Sequence, residues 1–134
     1  MDTRPYLAAP FAAGGRTPAA WDCWGCVRWI SEHEFGRPLP EYPGAGVHDS
    51  EIDQRDLLRV IRERVAEFQK VDDPAPGDIV LLRTRQRPLH VGIVVDTQPL
   101  MMMHAEASID TAVERLHTSM WRHRIEGYYR YAGW

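Results

Sequence analysis

Apolar positions along the chain change their period near its middle. In the first half they recur at helical spacing, as Trp24, Val27 and Ile30, and again as Leu57, Leu58, Ile61, Val65 and Phe68. The first set predicts a helix over residues 23–34, opened by Asp22 as N-cap. The second predicts a helix over about residues 51–69, capped by Ser50, with Glu51 and Asp53 in its first turn. Residues 36–48, rich in Pro and Gly, predict a loop between them. Residues 1–20 predict a loop with one helical turn near Tyr6 to Phe11. The run Asp72-Asp73-Pro74-Ala75-Pro76-Gly77 breaks the chain. Beyond it, branched apolar runs predict strands over residues 79–83, 89–95 and 100–104. Fainter patterns fall at residues 112–116 and 127–131, with a turn of helix at Trp121. Helices followed by strands define an α+β class.

Composition narrows the functional classes. The chain has 134 residues, 44% of them hydrophobic and 26% charged, which suits a single folded domain over residues 1–134. Its net charge of −3, with basic residues scattered, predicts no nucleic-acid partner. No apolar run approaches the roughly 20 residues of a membrane span, so no membrane partner is expected. The segment Met1-Asp2-Thr3-Arg4-Pro5 lacks a signal-peptide pattern, so synthesis in the cytoplasm is the expectation. The charged residues from Arg55 to Glu67 fit a solvated helix face and carry no assigned role.

Candidate chemistry centres on Cys23. A thiol at a capped helix start feels the positive end of the helix dipole, which favours thiolate below its ordinary pKa of about 8.5. A thiol nucleophile needs a base and a group that orients the base. Of six histidines, His33, His48, His117 and His123 fall at a helix end, in a loop and around a polar segment. His90 and His104 lie on two strands joined by Asp96-Thr97-Gln98-Pro99. A hairpin centred near Thr97 sets His90 opposite His104, within hydrogen-bond reach on one face, the face expected to look at the thiol on the helix. Gly92 leaves room beside His90. Two other constellations compete. Cys23-Trp24-Gly25-Cys26 is a CxxC at a helix start, the pattern of a redox pair, but no strand precedes it. The same two cysteines with His90 and His104 form a set of zinc ligands.

Four motifs, in order, resemble the NlpC-type cysteine peptidases, small papain-like enzymes that cut bacterial cell-wall peptides. They are Gly14-Gly15 before Asp22-Cys23-Trp24-Gly25, then Pro76-Gly77-Asp78-Ile79-Val80, then His90-Val91-Gly92-Ile93, then His104-Ala105. The resemblance runs from about Pro10 to Arg130. It implies a papain-like fold whose nucleophile starts a helix packed on an antiparallel sheet that carries the base. It implies Cys23 as nucleophile, His90 as base and His104 as the group orienting it, with no metal and no cofactor. The implied substrate is the peptide stem of peptidoglycan, cut between D-glutamyl and diamino-acid residues. Trp24 and the segment Ile125-Glu126-Gly127-Tyr128-Tyr129-Arg130 resemble the phage-tail subgroup, which implies phage tail proteins as partners and the virion as a location. Asp22, Trp24, Tyr6 and Phe11 are candidates for substrate or oxyanion contacts. Many family members carry a tyrosine twelve residues before the cysteine, where Phe11 stands here. The missing hydroxyl leaves the oxyanion to the Cys23 N–H and another donor, with Tyr6 folding back as the candidate. It also raises a competing role, that of a weak or inactive structural plug of a tail tip.

Overall fold

The structure, a computed structural model, describes residues 1–41, 67–83 and 90–133. Two short strands, β1 (Arg16–Thr17) and β2 (Ala20–Trp21), form a hairpin ahead of a helix, α1 (Cys23–Phe35). Six strands follow: β3 (Phe68–Val71), β4 (Ile79–Leu82), β5 (His90–Thr97), β6 (Leu100–Glu106), β7 (Asp110–Arg115) and β8 (Ile125–Tyr131). They make one antiparallel sheet in the order β3-β8-β4-β5-β6-β7. Single 3₁₀ turns occupy Arg4–Tyr6 and Arg122–Arg124. The chain is therefore α+β, with helix and sheet in the expected order. The helix expected over residues 51–69 lies outside the described residues except at its end, where Phe68 begins a strand instead. Ser50 and His48 also lie outside them. The early helical turn sits at Arg4–Tyr6 rather than Tyr6 to Phe11.

The start of α1 follows from three residues. Asp22 is extended, and its carboxylate accepts from the Gly25 N–H at 2.8 Å, an N-cap bond. The same carboxylate accepts from the Gly14 N–H at 2.9 Å and from Arg16 Nη1 at 2.8 Å. Gly25 is required by proximity: a Cβ there would lie 2.1 Å from the Gly15 carbonyl oxygen. The Gly14-Gly15 loop thus lies flat against the helix start, and Asp22 ties the two together. At the other end Gly36, with φ of 65°, closes α1: its N–H donates to the Glu32 carbonyl and the Arg37 N–H to the Ser31 carbonyl.

Trp24, Cys26, Val27 and Ile30 pack on Ile79, Val91, Ile93, Met103 and Ala105 from one sheet face. Burying each large apolar side chain contributes about 1.5–3 kcal/mol. The opposite face is covered by Leu116 and Trp121 over Val80, Leu82 and Met102. A Cβ on Gly77 would lie 3.4 Å from the Phe35 ring, and the Gly77 N–H donates to Val94. The C-terminal end of α1 therefore stands at the Val94 end of β5, and Cys23 at the His90 end. At that end Trp21 Nε1 donates to Thr111 Oγ1 at 2.7 Å, and Thr111 neighbours Ala112, the partner of His104. The Pro76-Gly77-Asp78 motif is architectural. Asp78 is buried and accepts both Nε and Nη2 of Arg130 at 2.8 Å, fastening β4 to β8. Among the described residues no helix is long and apolar enough to cross a membrane.

Candidate active site

The β5–β6 hairpin decides where the imidazoles point. Ile93 faces Met103, two residues beyond the partner expected from a turn centred at Thr97. The turn itself is tighter, with Thr97 opposite Leu100, and a bulge between Val94 and Asp96 absorbs one residue. Without the bulge, that tighter turn would send one histidine to the wrong face. With it, His90 and His104 share a face as diagonal rather than directly opposed neighbours. Their rings meet at 75°, with centroids 5.0 Å apart, and His90 Nε2 lies 2.8 Å from His104 Nδ1. Both are buried, His90 1% and His104 0% exposed. They alternate with Val91, Ile93 and Met103, so they lie on the Met102 and Trp121 side of the sheet and not, as expected, on the face that α1 covers. The Trp121 ring stands edge-on to His104 at 5.3 Å.

A fourth residue, absent from the sequence reading, completes this chain of contacts. Glu114 on β7 sits opposite Met102 and diagonal to His104, with its Oε2 2.5 Å from His104 Nε2. The bond to His104 holds the Glu114 carboxyl below its ordinary range, against the opposing effect of burial. This lowered acid stabilises the fold above the ordinary glutamate pKa, and the contribution is lost as pH falls through the lowered value.

Cys23 is the first residue of α1 and is 1% exposed. Cys26, one turn on, is fully buried, and both thiols are free. Burial pushes the Cys26 thiol well above the ordinary range, and the charges of Cys23 and Asp22 push the same way. Asp22 is buried and committed to Gly14, Arg16 and Gly25. Burial raises its pKa, while the Gly25 N–H and Arg16 draw it back. As an acceptor with three partners it holds the helix start and offers no oxyanion donor. Trp24 is buried against the core beside Cys23.

The Tyr6 ring stacks on Trp21, with centroids 6.0 Å apart. Its hydroxyl donates to Glu34 at 2.5 Å, eleven residues along α1 from Cys23, or about 16 Å of helix. Phe11 lies near the helix start: it bridges to Trp21 in parallel, and its N–H donates to Asp110 Oδ1 at 2.9 Å. Its ring packs half-buried against the core. Asp110, in the left-handed region with φ of 59°, therefore anchors the N-terminal arm rather than a histidine. His90, His104 and Glu106 bring one ligand atom each within 4.8 Å of one another. Neither cysteine belongs to that group, so the Cys₂His₂ zinc arrangement is not the one present. No strand longer than two residues leads into Cys23, unlike a redox CxxC in a βαβ unit.

Fold and site together define a papain-like domain with a thiol at a helix start and an imidazole pair at the same end of the sheet. The NlpC/P60 family profile matches residues 8–130, and the chain belongs to that family. A protein similar to a lipoprotein of the NLP/P60 family from Staphylococcus aureus subsp. aureus Mu50 has a similar fold, with a TM-score of 0.61 at 20% identity. That match covers 96% of this chain but 38% of the staphylococcal one, so the chain spans well under half of that relative. The NlpC/p60 domain of the peptidoglycan hydrolase SagA superposes with a TM-score of 0.57 at 16% identity, over 95% of this chain and 90% of that one. No curated protein sequence matches.

Proposed function

We propose that this domain is a cysteine endopeptidase acting on the peptide stem of peptidoglycan, at the D-glutamyl–diamino acid bond, from a phage or related particle. The supporting observation is the capped helix start that brings Cys23 to the end of the sheet carrying the hydrogen-bonded His90 and His104. Family membership and the named hydrolase neighbour support the substrate class. Trp24 and the segment Ile125 to Arg130 support the particle only through resemblance, since β8 also has a plain structural task beside β4.

In the reaction, the Cys23 thiol must reach His90 round the end of the sheet, since α1 packs on the Val91 and Ile93 face and the imidazoles lie on the Met102 face. Cys23 Sγ then gives its proton to His90 and attacks the scissile carbonyl carbon. The oxyanion takes a hydrogen bond from the Cys23 N–H, where the helix dipole adds positive potential. His90 returns the proton to the departing amine, and the C–N bond breaks, leaving a thioester on Cys23. Water, deprotonated by His90, then releases the acid and restores the thiol. His104 holds the His90 ring through the Nε2–Nδ1 bond. Incubation with isolated peptidoglycan tests the reading: mass spectrometry of the soluble products shows new amino termini on the diamino acid. Intact stems after long digestion would contradict it.

The absent hydroxyl at Phe11 and the burial of Cys23 favour a second reading, that of a weakly active or inactive plug of a tail tip. If the missing donor is the only defect of an active enzyme, Phe11→Tyr raises kcat on a stem peptide about tenfold, or roughly 1.4 kcal/mol, with KM little changed. A wild type as fast as the variant contradicts an impaired site. No cleavage by either protein supports the plug.

A further inference from the structure

We infer that Glu114 is a positioning residue for the base, acting through His104 to fix which nitrogen of His90 is basic. The inference rests on the peptidase reading above. Its observation is the unbroken run from Glu114 Oε2 to His104 Nε2 at 2.5 Å and from His104 Nδ1 to His90 Nε2 at 2.8 Å.

With His104 neutral, each step in that run sets the next. The carboxyl of Glu114 is held below its ordinary range, so near neutral pH it is an anion and only accepts. His104 must then place a proton on Nε2. A neutral imidazole carries one N–H, so Nδ1 of His104 becomes an acceptor. His90 must in turn donate from Nε2, which makes Nδ1 its basic nitrogen. That nitrogen is the one not committed to His104, and the mechanism assigns it to the thiol. When His90 takes the proton of Cys23, the resulting cation gains a hydrogen-bonded link to an anion two rings away. Among the described residues, the other charged groups placed near the pair are Glu106 on β6 and Arg124, whose guanidinium lies 5.9 Å over the Trp121 ring that stands beside His104; the peptidase reading adds Cys23. Glu106 lies within 4.8 Å of the pair, but the bond that orders the tautomers is that of Glu114.

The position of Glu114 suits an adjuster more than a structural brace. Its side chain is 31% exposed while that of His104 is fully buried, so the carboxylate connects a buried relay to solvent. Glutamine at this position keeps the size but removes the charge. Its amide can donate to His104 Nε2 as readily as accept, so the tautomer order is lost.

The test uses Glu114→Gln and Glu114→Asp in the whole chain with three readouts. On a stem peptide, Glu114→Gln lowers kcat by about 10- to 100-fold with KM little changed, less than the roughly 10⁴-fold cost when the orienting acid touches the base itself. The pH profile of Cys23 alkylation by iodoacetamide moves to higher pH, because the imidazolium that partners the thiolate has lost its anion. Histidine ¹⁵N spectra show both rings protonated at Nε2 in the wild type and mixed tautomers in Glu114→Gln. Glu114→Asp restores part of each. Unchanged tautomers and an unchanged alkylation profile in Glu114→Gln overturn the inference. If the wild type cuts no stem peptide, the peptidase reading fails while the spectra and the alkylation profile still decide the role of Glu114.

Discussion

Replacing Cys23 with alanine will remove stem-peptide cleavage, by about 10⁴-fold or more, while leaving the fold in place. The size follows from the role proposed for the thiol: without it no covalent intermediate would form, and members of such a catalytic unit cost nearly the whole rate enhancement when removed singly. The fold survives because the lost atom is one buried sulfur at a helix start, with Asp22 still capping α1. His90→Gln will cost a comparable factor, since the glutamine amide accepts a hydrogen bond but takes no proton from the thiol or from water. Initial rates by liquid chromatography, with melting temperatures alongside, check both. Cys26→Ala serves as the contrast. Cys26 is fully buried with its thiol pushed up, so its loss should touch stability through a small cavity and leave the chemistry intact.

The second large effect is on stability. Gly25→Ala will destabilise the domain by about 2–3 kcal/mol, although alanine is the better helix former by about 1 kcal/mol in open helices. The Gly15 carbonyl oxygen decides the sign. A Cβ would lie 2.1 Å from it, with the Gly15 carbonyl carbon at 3.1 Å and Arg16 Cα at 3.2 Å behind. All of these are backbone atoms, so no side chain can swing aside. The loop must lift from the helix, and the Gly14 N–H bond to Asp22 goes with it. A melting-temperature drop of roughly 10 °C is expected for a domain of this size. An increase would show that the loop yields freely and that the close approach is incidental.

These two positions also show what could be read before the structure. The helix start was legible because a capping aspartate, a following glycine and a helical apolar stripe all agree on one boundary. Strands β4, β5 and β6 were legible from branched apolar runs. The shared face of His90 and His104 was legible for a partly wrong reason: the turn is tighter than expected, and the bulge restores the parity it would have broken. Bulges leave little compositional trace, so no spacing argument would have placed it. β1 and β2 have two residues each and carry no period at all. Phe68 continues a helical spacing from Leu58 through Ile61 and Val65, which is why it was assigned to a helix when pairing with Tyr131 makes it strand. Glu114 stood in a run of charges and aliphatics on a strand of the sheet edge, where a carboxylate reads as a solvated residue. The bond from the Tyr6 hydroxyl to Glu34 joins residues 28 apart, a pairing that no spacing in the sequence shows.

The central claim is that Cys23 forms a covalent bond to the acyl half of a cell-wall stem peptide. Its most direct test is acid quenching of the protein during turnover of a synthetic stem peptide, followed by mass mapping. The account predicts a thioester on the peptide that contains Cys23, lost on standing at neutral pH and absent from Cys23→Ala. An adduct on Cys26, or cleavage that continues in Cys23→Ala, would contradict it.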